Sequence, residues 1–301
     1  MKRRIIQYTT VVLAFLAGMI FMTYMTRMGN RDMTGDMAQA QLPVVHAEQD
    51  GVLYNEMHGY VEDMDGASMR DSVIGVSEDH KVGLALEKYN AQIKSVSYEV
   101  RSLDMSRLIE GGDDLQAEDD GKYLHISLTL KDLLTQGEEY LLVLKVQTED
   151  QDLVRFYSIL TYLGTNHVQD CVDFAQRFHE MTLTGDSDGV LNYLEQDGSM
   201  DGKNLGYINI HSRSGPVTWG DMQVEQIGDP SLRFTELESD ITALTMEYQV
   251  TNTETSEQYQ VREAYRLRYT STRIYLLAYE RWTDKILEPG RQLVGDGKRA
   301  F

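Results

Sequence analysis

The residues of this chain that could do chemistry are seven histidines, one cysteine and a few acidic knots. His46, His58, His80, His125, His167, His179 and His211 are scattered, with no H-E-x-x-H and no pair at helical spacing, so zinc held by a recognisable pattern is not indicated. Cys171 falls on the apolar side of a predicted helix, where a thiol is an inert core group. His179 lies eight residues further along that helix, ~12 Å away at ~1.5 Å per residue, beyond direct proton transfer. Asp197-Gly198-Ser199-Met200-Asp201-Gly202 imitates the first half of a calcium loop. Ile208 stands where the closing bidentate Glu belongs, so a solvated turn is expected. Glu62, Asp63 and Asp65 beside His58 amount at most to a weak surface cation site. The methionines Met19, Met22, Met25, Met28, Met33 and Met37 have no His or Cys among them and read as apolar filler, not copper ligands. No catalytic, cofactor or metal residue is assigned, and a non-enzymatic protein is expected.

One polar row stands out. On the predicted strand from Gln258 to Tyr269, Arg262, Arg266 and Arg268 point to one face, while Val261, Tyr265, Leu267 and Tyr269 point to the other. In so acidic a chain this row is a candidate interaction or anion-binding surface. The plainer alternative is cross-strand pairing with Glu247 and Glu280. In the last strand, Arg273 to Trp282, Tyr275, Leu277 and Tyr279 alternate with Ile274, Leu276 and Ala278. Apolar residues on both faces predict a central or covered strand.

The elements that must carry these residues fall into two parts. From Lys81 the apolar period is two: Val82, Leu84 and Leu86; Val96, Tyr98 and Val100; Leu124, Ile126, Leu128 and Leu130; then Tyr140 to Val146 and Val154 to Leu163. Ser72 to Val76 reads as a first strand, and turn clusters such as Glu110 to Asp114 and Glu118 to Gly121 separate the runs. This spacing predicts an antiparallel β-sandwich over 51–164. Within it, Leu134-Thr135-Gln136-Gly137-Glu138-Glu139-Tyr140 resembles the L-x-x-G-x-x-Y tyrosine corner of fibronectin type III and related immunoglobulin-like modules, a resemblance covering about residues 68–164. It implies that Leu134, Gly137 and Tyr140 are structural, with the Tyr hydroxyl bonding back to the chain. The family's usual proline before the corner glycine is missing, as is a tryptophan in the preceding strands, where Tyr98 would substitute.

Past Gly164 the period becomes helical. Asn166 is the expected cap of a helix bearing Val168, Cys171, Val172, Ala175 and Phe178, with Phe174 and Met181 broadening its apolar side; a second short helix is expected from Gly189 to Glu195. Strands follow at Tyr207–His211, Val217–Ile227, Ile241–Thr251, Gln258–Tyr269 and Arg273–Trp282, so 165–288 is expected to be α+β. Its element order resembles the nuclear-transport-factor-like and cystatin-like folds, which implies a curved sheet wrapping a helix. In the first of these a pocket between the two often holds a small molecule.

At the other end, Ile5 to Met25 contains no charged side chain and follows Lys2, Arg3 and Arg4, which predicts a transmembrane helix. The apolar run exceeds a signal-peptide core, and Arg27 and Arg31 are fewer than the charges before it. Residues 1–4 are therefore expected in the cytoplasm and the bulk of the chain outside. Ala14 and Gly18 form a small-xxx-small pair that would let two such helices meet as a homodimer. Residues 26–50 read as a stalk, and 289–301 as a tail or the start of a further region. The 28 basic residues face 48 acidic ones, a net charge of −20, which excludes nucleic acid and anionic headgroups as natural partners. With Cys171 alone no intrachain disulfide can form, and a disulfide-free outer domain suits a bacterial envelope. The expected function is a single-pass, non-enzymatic ectodomain that binds another envelope protein or serves as an auxiliary sensor or scaffold. A small-ligand module is the alternative. An envelope hydrolase would need His, Asp or Glu side chains converging in a cleft.

Overall fold

Short alternating runs between tight turns give strands, and the computed structural model lays them out as three five-stranded sheets. It describes residues 15–19, 21–22, 42–69, 72–113, 115–131, 134–149, 153–165, 167–199 and 204–286. The first sheet contains β1 (Val44–Gln49), β2 (Val52–His58), β4 (Lys81–Glu87), β7 (Ala117–Asp119) and β8 (Tyr123–Thr129), in the order β2-β1-β4-β8-β7. The second contains β3 (Val73–Ser77), β5 (Ile93–Ser102), β6 (Leu108–Gly112), β9 (Glu139–Thr148) and β10 (Leu153–Gly164), in the order β3-β10-β9-β5-β6. Val45, Leu84, Leu86, Ile126 and Leu128 of the first share one apolar core with Val100, Leu142, Leu144 and Phe156 of the second, an arrangement compatible with a β-sandwich. All pairings within these sheets are antiparallel except β3 with β10, which is parallel.

The sandwich begins earlier than expected. The sequence pattern predicts a boundary at residue 51 and a stalk over 26–50, yet Val44–Gln49 is β1, flanked on both sides by β2 and β4. The turn that joins β1 to β2 is Asp50-Gly51, both with positive φ (50° and 81°), the backbone a two-residue hairpin needs. Gly83 makes the β1–β4 contact possible, since a Cβ there would lie 2.4 Å from the Glu48 carbonyl oxygen.

The third sheet runs β11 (Tyr207–Asn209), β15 (Ile274–Lys285), β14 (Gln258–Tyr269), β13 (Ile241–Asn252), β12 (Val224–Leu237), antiparallel throughout. On its inner face lies α1 (Val168–Thr184), followed by the short α2 (Ser187–Leu191) and α3 (Ser214–Val217). Helix α1 buries Val168, Cys171, Val172, Phe174, Ala175 and Phe178, and ends at Gly185, which takes the left-handed conformation (φ 76°) that closes helices. The Phe178 ring lies 4.9 Å from that of Tyr279 and 5.9 Å from that of Tyr265, so aromatic rings fill the space between helix and sheet.

Two expected elements shift here. The strand placed at Val217–Ile227 starts at Val224, because Val217 belongs to α3, and it continues through Gly228 and Pro230 to Leu237 with register breaks after Ile227 and Phe234. The helix expected at Gly189–Glu195 occupies Ser187–Leu191, capped by Asp186. The expected cap Asn166 lies outside the described residues.

Among the described residues, 42–286 form one compact unit. The sandwich and third sheet join at β12: Asn55 on β2 is fully buried, donates to the Val73 carbonyl at 2.7 Å and accepts from the Phe234 amide at 2.6 Å. Tyr54 meets Phe234 edge to face at 5.2 Å. Of the expected span Ile5–Met25, residues 15–19 and 21–22 are helical, and the remainder lies outside the described residues. Among the described residues, no helix is long and apolar enough to cross a membrane.

Candidate functional site: the arginine face and the polar cluster behind it

Strand alternation divides β14 cleanly. Outward go Arg262, Ala264, Arg266 and Arg268; inward go Val261, Glu263, Tyr265 and Leu267, all four buried. The register carries each outward arginine into a cross-strand row: Ser231, Glu247, Arg262 and Trp282; Glu236, Ala243, Arg266 and Ala278; Ile241, Arg268 and Tyr275. Arg233 on β12 and Arg273 in the β14–β15 turn are also exposed.

The expected pairing of this row with Glu247 and Glu280 is not what forms. Arg266 reaches across the small Ala243 to Glu236, with Nε and Nη2 donating at 3.0 and 2.9 Å. The bidentate contact holds the Glu236 carboxyl below its ordinary range. Arg262 stacks on Trp282, its guanidinium carbon 4.5 Å from the ring centroid, and Arg273 stacks on Tyr275 at 3.9 Å. Glu280 accepts from the Tyr207 hydroxyl instead, at 2.5 Å. Among the described residues, no carboxylate stands within ion-pair distance of Arg262, Arg268 or Arg273. On this face two cations, Arg262 and Arg273, are held flat on aromatic rings and Arg268 is exposed beside them, with the exposed Glu247 next to Arg262 in its row.

Behind it lies a cluster that strand periodicity hides. Glu263 is wholly buried and accepts three hydrogen bonds: from the Tyr265 hydroxyl at 2.6 Å, from Tyr279 at 2.7 Å and from His179 Nδ1 at 3.2 Å. His179 Nε2 faces Gln226 Oε1 at 2.7 Å, and the Gln226 amide nitrogen donates to the Gly228 carbonyl at 2.8 Å, which fixes that orientation. With an acceptor opposite each ring nitrogen, the imidazole is held as imidazolium. Burial alone would lower its pKa, and the Glu263 carboxylate outweighs burial and raises it. Burial would likewise raise the Glu263 pKa, but the His179 hydrogen bond and charge, with Arg281 and Tyr265, carry it below the ordinary value. Burial pushes the Tyr248, Tyr265 and Tyr279 phenols well up, so they stay neutral donors.

Arg281 lies directly opposite Glu263 on β15 and is also fully buried. It donates to the carbonyls of Val217 at 2.7 Å and Pro216 at 2.9 Å, and its guanidinium covers Trp219 at 3.9 Å. Trp219 reaches that position through a left-handed backbone (φ 68°). A charged strand residue thus receives the C-terminal carbonyls of α3. The signal for this cluster was one acid among the inward residues of β14 and one cation among those of β15. Glu263 falls on the same inward face as Val261, Tyr265 and Leu267.

Alternation in β15 also differs from expectation. The register breaks between Arg266 and Leu267, opposite Leu277, so Tyr279 turns inward with Leu276, while Tyr275 and Ala278 both face outward. Of the other sequence candidates, His211 Nδ1 comes within 3.5 Å of Asp197 Oδ2 at the surface, and the rest stay apart. Cys171 is buried, which raises its thiol pKa. Asp197 accepts from the Ser199 amide at 2.8 Å as in an ordinary turn, and the rest of the calcium-like loop lies outside the described residues. Asp63 takes the Tyr157 hydroxyl at 3.2 Å. Among the described residues no group of His, Cys, Asp and Glu is arranged to hold a metal. His125 bridges Glu48 (2.8 Å) and Asp120 (3.2 Å) on the first sheet, which uses both ring nitrogens. At the tyrosine corner, the Tyr140 hydroxyl accepts from the Thr135 amide at 2.9 Å, Leu134 is buried, and Gly137 takes φ 78° with its amide donating to the Tyr162 carbonyl.

No protein-family model matches the chain, and no curated protein does. Among solved structures the chain is similar to the crystal structure of CopC from Methylosinus trichosporium OB3b, at 14% identity over 31% of this chain and 85% of that chain. The TM-score is 0.21, too low to carry an inference about fold or function.

Proposed function

We propose that this chain is a membrane-tethered, extracytoplasmic binding module of a bacterial envelope, which holds a protein partner on the outer face of its third sheet and performs no reaction of its own. The observation that carries the reading is the arginine face. Arg262, Arg268 and Arg273 stand exposed without a carboxylate partner among the described residues, in a chain of net charge −20. Trp, Tyr and Arg are the side chains that dominate protein–protein contact energy, and two of these arginines are pre-ordered by stacking. The tether is supported by the uncharged run Ile5–Met25 behind Lys2, Arg3 and Arg4, and the sandwich is read as an immunoglobulin-like spacer on its tyrosine corner. The His179–Glu263 pair serves as a structural brace in this reading, since neither side chain is accessible to a substrate.

Two measurements test it. Protease added to intact cells should remove the body of the chain; if intact cells protect it and only lysed cells lose it, the topology is inverted and the reading fails. Crosslinking on intact cells should capture one protein partner, and Arg262→Glu with Trp282→Ala should lower that yield about tenfold. Unchanged capture would remove the third sheet as the contact surface.

A further inference from the structure

We propose that the open edge of β15, from Ile274 to Tyr279, accepts an extended acidic segment of the partner protein as an added β-strand. The inference rests on the reading of the third sheet as contact surface and supplies the partner's chemistry.

The sheet ends unevenly. β11 pairs with β15 only through Glu280, Arg281 and Trp282, and among the described residues no strand but β14 pairs with Ile274–Tyr279. Natural proteins defend such edges with short strands, prolines, lysines or overlying elements. The other edges of this molecule are defended in those ways. β7 and β11 have three residues each and β6 has five. β12 carries Gly228 and Pro230, and β2 and β3 lie against β12. The stretch Ile274-Tyr275-Leu276-Leu277-Ala278-Tyr279 has neither proline nor charge, and Tyr275 is 38% exposed. The bulge at Leu277 is a partial edge defence of its own, and it confines regular pairing to the residues on either side of it.

Charge selects the strand that joins. Arg268 lies directly across from Tyr275, and Arg273 covers the Tyr275 ring, so both cations flank the row an added strand would extend. Alternate residues of an extended chain are ~7 Å apart on one face, as Arg266 and Arg268 are on β14. Arg266 is held by Glu236, so the cations left to meet an added strand are Arg268 and Arg273; a carboxylate beside Tyr275 would meet both, while the backbone of the strand completes the hydrogen bonds of β15. A basic segment would meet like charge at this rim, and a phosphate polymer has no peptide groups to offer the edge.

The test uses the full-length protein in detergent micelles and the peptide Val-Glu-Val-Glu-Val-Glu-Val, with its Lys counterpart and inorganic polyphosphate as controls. The Glu peptide should bind, should weaken as salt rises, and should lose about tenfold in affinity with R268E/R273E, substitutions of exposed side chains. Amide exchange should slow across Ile274–Tyr279 when the peptide is added. Four results overturn the proposal: no binding of the Glu peptide, equal binding of either control, protection confined to other strands, or protection of β15 without peptide together with a dimeric mass, which would make a second copy the occupant. If the peptide fails while cell-surface capture still depends on Arg262 and Trp282, the third sheet stays the contact surface and only the strand addition is lost.

Discussion

Glu263 is the residue whose neighbours explain it most completely. Four groups from three elements converge on one carboxylate: His179 from α1, Tyr265 from β14, and Tyr279 and Arg281 from β15. Removing its charge strands two buried cations. Glu263→Gln should therefore cost about 3–5 kcal/mol, measured by denaturant unfolding. The pH dependence follows from the two shifts. Glu263 has a lowered folded pKa, so its contribution is full above its unfolded value of about 4.3 and is lost as pH falls through the folded value. His179 has a raised folded pKa, so its contribution is full below about 6.5 and is lost as pH rises through the folded value. Stability should thus form a plateau between the two and fall on either side. His179→Gln should flatten the alkaline decline and also weaken the acid one, because the His179 hydrogen bond and charge are the chief cause of the lowered Glu263 pKa; thermal unfolding across pH would reveal both changes. At the tyrosine corner, Tyr140→Phe leaves the Thr135 amide without its acceptor and should cost ~1 kcal/mol.

At the scale of elements, strands with a period of two are readable in the sequence: β4, β5, β8, β13 and β14 lie where alternation places them, and β9 and β10 lie where their near-continuous apolar runs do. β1 was lost to the stalk because its apolar residues are few, although Asp50-Gly51 between Val44–Gln49 and Val52–His58 is a hairpin signature that could have found it. β12 was cut short because Gly228 and Pro230 imitate a strand end, while its register resumes at Ser231. The arginine row was legible as a row, but its partners were not. Which acid an arginine reaches depends on register, and here a small residue, Ala243, opens the path to Glu236. Of the buried cluster, the acid of β14 and the cation of β15 are legible as charges on inward faces, but their meeting with His179 is not, because helix and sheet have to dock first. Helix α1 is anchored by Phe178, whose ring touches those of Tyr193, Tyr265 and Tyr279. Phe178→Ala should cost about 3–5 kcal/mol and release the α1 amides to faster hydrogen exchange.

Taken whole, the folded body is a sandwich and an α+β layer sharing one continuous core, in which residues from Val45 to Tyr279 join a single cluster. The sequence divides at Gly164, yet β12 folds back across that division and lies against β2 and β3. One cooperative calorimetric transition is expected, and Asn55→Ala should lower or split it. That substitution leaves the Phe234 amide and the Val73 carbonyl buried without partners, at about 1–3 kcal/mol for each group. The same arrangement has a mechanical consequence. The chain enters the folded body through β1, which is gripped on both sides by β2 and β4. A pull arriving at Leu42 must strip two ladders of backbone bonds at once, whereas an outermost strand would give up only one. A single-molecule stretching trace should show β1 yielding late.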